Sequence, residues 1–173
     1  MIDKKRQLEE LKNLEKEIKD KEDKNTKYWL FKTENGVQGF MGTGGKKQIM
    51  FVGERPSSEK KGVVAWKKFY GVLKDLDLQE SHLTDLIKSI AKVGGSLPDD
   101  LFEDCRILSR EIAIVKPRLI FTLGTKVHNH LLFYLAEKEI KAVEIYHYSY
   151  VFRRNKVTPK AYKKQIQDEL KLL

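Results

Sequence analysis

The chain has 173 residues, of which 40% are hydrophobic and 34% are charged, a balance that favours one globular domain over a disordered chain. Its apolar runs are too short to cross a membrane, and we expect no secretory signal in its Lys- and Glu-rich N-terminus. The single cysteine, Cys105, excludes an intramolecular disulfide and an all-cysteine metal or iron–sulfur site, and indicates a reducing, cytoplasmic compartment. The net charge of +9 suits a polyanionic partner.

Residues 1–27 are dominated by Lys and Glu. Apolar side chains recur there at helical spacing: Leu8, Leu11, Leu14 and Ile18. This narrow stripe predicts a charged N-terminal helix, packed on the domain or frayed into solvent. A partner-binding or coiled-coil helix is the alternative, but the stripe is short for a coiled coil. We assign the rest of the chain, residues 28–173, to one α/β domain.

Short apolar runs and helical periodicities alternate along that domain. Strands are predicted at 28–31, 37–41, 48–53, 81–86, 118–124 and 142–146. Helices are predicted at 65–76, 99–115, 126–135 and 159–172, with loops at 42–45, 93–98 and 147–155. The alternation predicts a three-layer α/β/α fold around a central, mostly parallel, four-stranded sheet.

Polar residues lie at or just after four predicted strand ends: Glu54, Asp85, Gly124 and His147. Because ligands of parallel sheets bind at the carboxyl ends of the strands, we expect these residues to converge. The loops 53–57 and 147–155 are therefore the predicted ligand site.

The residue types at this site suit an enzyme that acts on a nucleobase. Glu54 can orient a water or stabilise a developing cation, Asp85 can accept hydrogen bonds, and His147 can donate to a developing oxyanion. Stacking surfaces and phosphate-binding groups accompany them: Trp66, Phe69, the tyrosines near His147, Arg153 and Arg154.

Structural roles remain open for the same residues. Glu54 and Asp85 can cap the segments that follow them, and His147 can be a satisfied core histidine. Trp66 can pack in a helix core. The remaining candidates are interpreted as structural: Cys105 as a small buried side chain, Thr125 as a helix start, and His82, His128 and His130 as residues without metal-ligand geometry.

Several segments, in this order, resemble the uracil-DNA glycosylase superfamily, and its iron–sulfur, family 4-like branch most closely. They are 51–59 (a strand followed by Gly-Glu-Arg-Pro-Ser), Trp66, 84–88 (Thr-Asp-Leu-Ile-Lys), 105–108, 116–124 (Lys-Pro-Arg-Leu-Ile-Phe-Thr-Leu-Gly) and 147–155 (His-Tyr-Ser with trailing arginines). The resemblance covers residues 48–173.

The resemblance implies a DNA repair glycosylase that flips a nucleotide from single- or double-stranded DNA and hydrolyses its N-glycosidic bond. Glu54 would stabilise the oxocarbenium-like state and place water, and His147 would stabilise the departing base. Gly53, Trp66 and Asp85 would bind the base. Residues 148–152 would wedge into the stack, and nucleic acid would be bound by Ser57, Ser149, Arg153 and Arg154.

The chain departs from the family pattern at Arg55, Ser57, Asp85 and Tyr148, where the family has alanine, glycine, asparagine and proline. An asparagine accepts from N3–H of uracil and donates to O4, whereas an ionised aspartate can only accept. Either another base is read, or Asp85 is protonated, or glycosylase activity is lost. The alternative function is therefore an inactive glycosylase-fold protein that binds nucleic acid or a partner, and hydrolysis of a small nucleoside also stays open.

The companions of Cys105 in the family's iron–sulfur cluster are absent. We therefore expect no cofactor and no metal. We also expect a monomer that makes no contact with membranes.

Overall fold

The structure, a computed structural model, describes residues 3–20, 42–55, 59–88, 101–135, 140–152, 154 and 157–173, with the backbone alone for residues 59–64 and 66. The described helices are α1 (Lys4–Lys19), α2 (Glu59–Asp75), α3 (Phe102–Val115), α4 (Thr125–Leu135), α5 (Tyr148–Phe152) and α6 (Pro159–Leu170). The described strands are β1 (Ile49–Gly53), β2 (His82–Asp85), β3 (Leu119–Leu123) and β4 (Lys141–Ile145). Among these helices, none is both long and apolar enough to cross a membrane.

The four strands form one sheet in the order β2-β1-β3-β4, and every neighbouring pair is parallel. Phe51 of β1 lies opposite Leu83 on one side and Phe121 on the other. The predicted central, parallel, four-stranded sheet is confirmed. Because all strands run the same way, their carboxyl ends meet at one edge.

Alternating side chains of the buried strands supply two cores, one on each face of the sheet. On one face, Ile49 and Phe51 pack with the apolar sides of α2, α5 and α6. On the other, Met50 and Val52 pack with α3 and α4. The chain is therefore three-layered, as its alternating pattern predicts.

Helix α1 lies outside these layers, against α3. Asp3 caps it by accepting the backbone N–H groups of Lys5 and Arg6, and Leu14 and Ile18 pack on Ile107. The Gln7 side chain donates to the carbonyl of Ile114 at 2.6 Å, near the end of α3. The predicted packing of the N-terminal helix on the domain is confirmed.

Two sequence predictions need correction. Helix α2 begins at Glu59, six residues before the predicted start, because its charged first turns carry no apolar periodicity. The segment 147–155 is not all loop, since α5 occupies its centre and buries Tyr148 and Val151 in the core. The strands predicted at 28–31 and 37–41 and the loop at 93–98 lie outside the described residues.

Candidate active site

Four strand ends bring the candidate residues to one edge of the sheet. Asp85 ends β2, Glu54 follows β1, and His147 lies two residues beyond β4. Gly124, at a backbone φ of 98°, lets the chain turn from β3 into α4, and a Cβ atom placed on it would lie 3.8 Å from Cβ of His147. The topology thus collects the predicted residues along one edge, in the order Asp85, Glu54, Gly124 and His147.

The Asp85 side chain packs directly against the Cα atom of Gly53. A Cβ atom on Gly53 would collide with Oδ1 of Asp85. Only glycine therefore allows the carboxyl group to lie directly against β1. The loops continue the pairing of the strands, because the N–H groups of Leu86 and Ile87 donate to the carbonyls of Gly53 and Glu54 at 2.8 and 2.9 Å. These two hydrogen bonds hold the segment after β2 against the loop after β1.

Behind Asp85 lies a fully buried polar cluster. Lys88 has no exposed surface, and its ammonium group donates to Oγ1 of Thr84 at 2.5 Å, to the backbone carbonyl of Asp85 at 2.6 Å and to Glu111 at 2.8 Å. The Thr84 hydroxyl donates in turn to the other carboxylate oxygen of Glu111 at 3.1 Å. The backbone N–H of Lys88 donates to Asp104 at 2.8 Å. Helix α3 therefore holds the segment after β2 from below.

Burial dominates the electrostatics of Asp85, whose residue surface is 6% exposed. Desolvation raises the pKa of its carboxyl group to about 7, and the negative charges of Glu111 and Glu54 act in the same direction. Lys88 opposes this shift without cancelling it. Below about pH 7 the surroundings therefore favour the protonated form of Asp85.

Glu54 is accessible but not isolated. Its side chain is 33% exposed, and Oε1 lies 3.1 Å from Nζ of Lys126 and 3.6 Å from the guanidinium group of Arg55. Lys126 comes from the first turn of α4, so β1 and β3 each contribute to this ion pair through the segments that follow them. The pair fixes the carboxylate near the strand ends and partly balances its charge.

His147 has an assignable tautomer. The backbone N–H of Ser149 donates to its Nδ1 at 3.2 Å, and the Ser149 hydroxyl lies 2.8 Å from the same atom. Because Nδ1 accepts, the proton of the neutral ring is on Nε2. The ring, half-buried beside Tyr148 at 4.3 Å between centroids, can then donate from Nε2.

The aromatic side chains divide into core and surface. Phe69 is fully buried and stacks on Tyr148 at 5.4 Å between centroids, so the expectation that these rings offer a stacking surface is wrong. Val151 is also buried, which removes it from the predicted wedge. Tyr150 is 45% exposed, and the guanidinium carbon of Arg154 lies 5.0 Å from its ring centroid. Tyr150 and Arg154 are thus the surface pair of this segment.

Three predicted site residues lie wholly or partly outside the described residues. Trp66 lies in α2, but its side chain is outside the described part of the chain, as are Ser57 and Arg153. Among the described residues, no group of three or more His, Cys, Asp or Glu side chains could hold a metal ion. Cys105, in α3, is a free, partly buried thiol packed against the core, and Thr125 begins α4.

Sequence reasoning overlooked two contributors to the site, Glu111 and Lys126. Glu111 is a charged residue on the apolar face of α3, between Leu108 and Ile112, and that position signals a buried partner. Lys126 gave no comparable signal, since its pairing with Glu54 arises only when β1 and β3 are neighbours.

The sequence model of the uracil DNA glycosylase superfamily matches residues 41–171, which include the whole sheet and every candidate residue. No curated protein matches the chain.

Proposed function

The chain belongs to the uracil DNA glycosylase superfamily, and from that premise we propose that it binds a flipped base in DNA and hydrolyses the N-glycosidic bond. The observation that carries the proposal is the placement of Glu54, Asp85 and His147 at the carboxyl ends of three strands of one parallel sheet, in a chain of this family. These residues supply a carboxylate, a base-reading group and an oxyanion donor.

In the proposed reaction, Glu54 stabilises positive charge on the sugar as the bond to the base breaks, and directs a water to the anomeric carbon. The water's oxygen bonds to that carbon while its proton passes to the carboxylate. The bonding electrons leave with the base, whose negative charge receives a hydrogen bond from Nε2–H of His147. The contact between Nδ1 and Ser149 supports this tautomer. Ser149 thereby acts as a positioning residue as well as a proposed phosphate ligand.

Base binding is proposed for Gly53, Asp85 and Trp66. Gly53 brings the backbone close and gives Asp85 its seat. Trp66 would stack on the base from α2. Nucleic-acid contacts are proposed for Ser57, Arg153 and Arg154, and the net charge of +9 supports an anionic partner. Within residues 148–152, we propose that Tyr150 is the side chain that enters the base stack, because it is exposed whereas Tyr148 and Val151 are buried.

The finer assignments belong to the same proposal. The order of motifs suggests likeness to the iron–sulfur branch without its cluster, since the chain has one cysteine. We propose that the protein acts as a monomer in the cytoplasm, in DNA repair.

The direct test is a base-release assay on oligonucleotides that carry a single uracil, hypoxanthine, xanthine or mismatch, in single-stranded and duplex form. We expect free base and an abasic site from at least one substrate, and loss of both in Glu54→Gln and His147→Ala. Glu169→Gln and His130→Ala are matched controls, because neither residue belongs to the proposed site. Glu169 of α6 pairs with Lys141 of β4, and His130 is exposed on α4. A parent protein that leaves every substrate intact contradicts the proposal.

The ion pairs of Glu54 favour one second candidate, a glycosylase-fold protein that binds nucleic acid without cleaving it. A carboxylate already paired with Lys126 and Arg55 is a weaker stabiliser of a cation. This candidate predicts salt-sensitive binding of the same oligonucleotides with no base released. Binding that is equal for the parent and Glu54→Gln, without turnover by either, would support it.

A further inference from the structure

The Asp85 carboxyl group is nearly buried and makes no hydrogen bond with the described residues, although its oxygens are not among the fully buried atoms that lack a partner. Its residue surface is 6% exposed, yet among the described residues it receives no side-chain hydrogen bond. Buried carboxylates are normally paired, because leaving an ionised one without donors is costly. The carboxyl group faces the edge of the sheet where the base is proposed to bind, seated against Gly53.

Lys88 is the cation closest in sequence, and its donors are spent. An ammonium group has three N–H donors. Those of Lys88 reach Thr84 Oγ1 at 2.5 Å, the backbone carbonyl of Asp85 at 2.6 Å and Glu111 at 2.8 Å. Its positive charge is therefore matched by the Glu111 carboxylate, and no donor remains for the Asp85 side chain.

The other charges acting on Asp85 are unfavourable to its ionised form. Glu111 of α3 and Glu54 after β1 are both negative, and Lys88 after β2 is the positive group that opposes them. Burial is the largest cause of the raised pKa of Asp85, about 7 against an ordinary value of 3.8. Burial and the two neighbouring carboxylates therefore both favour the protonated form of Asp85.

We propose that Asp85 is held as a neutral carboxylic acid and reads a base edge on which a ring N–H lies beside a carbonyl. The inference rests on the proposed function and concerns the protonation state in which Asp85 would read such an edge, as that of uracil. The acid's carbonyl oxygen accepts from the ring N–H, and its O–H donates to the base carbonyl. An asparagine side chain offers the same pair of groups, whereas an ionised aspartate would place a bare oxygen against that carbonyl.

This reading makes recognition depend on pH. Above the pKa of Asp85, the neutral fraction falls about tenfold for each pH unit. Binding of a uracil-containing oligonucleotide by the parent should fall accordingly as the pH rises from about 6 to about 9. Asp85→Asn, which keeps a donor and an acceptor without titrating, should show a flat profile over that range.

Two measurements test the inference. The first is the infrared difference spectrum between the parent and Asp85→Asn across pH, with the exposed Asp75→Asn as the control. We expect a protonated-carboxyl band in the Asp85→Asn difference spectrum that is lost as the pH rises through about 7. The second is the pH profile of binding to a uracil oligonucleotide carrying a non-hydrolysable 2′-fluoro sugar, for the parent and Asp85→Asn.

The outcomes separate the two claims. An Asp85 band that is lost by about pH 5, near the ordinary carboxyl range, overturns the neutral acid. Equal pH profiles for the parent and Asp85→Asn overturn its reading role. If neither protein binds the oligonucleotide at any pH, the proposed function fails and takes the reading role with it, while the infrared titration still decides the state of Asp85.

Discussion

Asp85 and Lys88 are buried ionisable residues three positions apart, and they differ in the hydrogen bonds that their surroundings provide. The Lys88 ammonium has a partner for every donor, including the Glu111 carboxylate. The Asp85 carboxyl group is also buried, and it has no donor among the described residues. The hydrogen bonds of Lys88 replace those that it loses to water on burial, whereas the Asp85 carboxyl group has no such bonds and its pKa is raised.

The cost of ionising Asp85 should be visible in stability. Its pKa is about 7 in the folded chain against 3.8 as a model value, so folding binds a proton between those limits. A raised folded pKa contributes stability that is present at low pH and is lost as the pH rises through about 7. Each unit of difference corresponds to about 1.4 kcal/mol. Since asparagine does not titrate, Asp85→Asn should gain stability relative to the parent as the pH rises.

Urea unfolding at several values between about pH 5 and pH 8 measures this gap. We expect the stability gap to widen with pH for Asp85→Asn, and Asp75→Asn, in which an exposed carboxylate is replaced, is the control. A gap for Asp85→Asn that does not change with pH would show that the carboxyl group is stabilised by donors outside the described residues.

At the scale of elements, the five-residue helix α5 orders the segment that carries His147. Tyr148 and Val151 anchor it in the core, three positions apart on one face. His147 accepts the Ser149 N–H at its start, and the N–H of Arg154 donates to the Ser149 carbonyl at its end. Tyr150 consequently points away from the core, beneath Arg154.

The exposed Tyr150 ring is the side chain best placed to fill the gap left by a flipped base. We expect Tyr150→Ala to lower base release from duplex DNA about tenfold or more, because an inserted side chain offsets a few kcal/mol of unstacking. Release from single-stranded DNA, which has no intact stack to open, should change much less. Phe133→Ala on α4, which also removes an exposed ring, should affect neither substrate. Equal losses on both substrates would instead assign Tyr150 to base binding.

The same helix marks the limit of prediction from sequence. Strands β1 and β3 were predictable because each is a short apolar run followed or ended by glycine, and helices α3 and α4 because apolar side chains recur along them at helical spacing. Helix α5 was not, since five residues give too short a period and histidine is an unusual cap. The placement of Glu54, Asp85 and His147 at strand ends followed from the parallel topology. Their partners Lys126 and Glu111 come from other elements, so tertiary packing alone reveals them.

At the scale of the whole molecule, the helices that hold the segment after β2 lie apart from the sheet edge that carries the proposed site. Helix α1 packs on the outer side of α3, and α3 holds Lys88 through Glu111 and Asp104. The proposed site lies at the carboxyl edge of the sheet, and Arg118, immediately before β3, lies at the opposite edge with its guanidinium group on the carbonyl of Leu173. Arg154 and Arg118 therefore lie at opposite edges of the sheet. We expect only the carboxyl edge, with Arg154, to contact DNA.

This geometry makes a matched prediction about salt. If Arg154 contacts a phosphate, Arg154→Ala should weaken duplex binding and reduce the slope of log affinity against log salt by about one, because one fewer counterion is released. Arg118→Ala removes the same charge from the chain's net +9 but from the opposite edge, and should leave that slope unchanged. Titrations at several salt concentrations measure both slopes. An equal reduction in the two variants would mean that DNA responds to the overall charge, and that the carboxyl edge of the sheet is not its binding face.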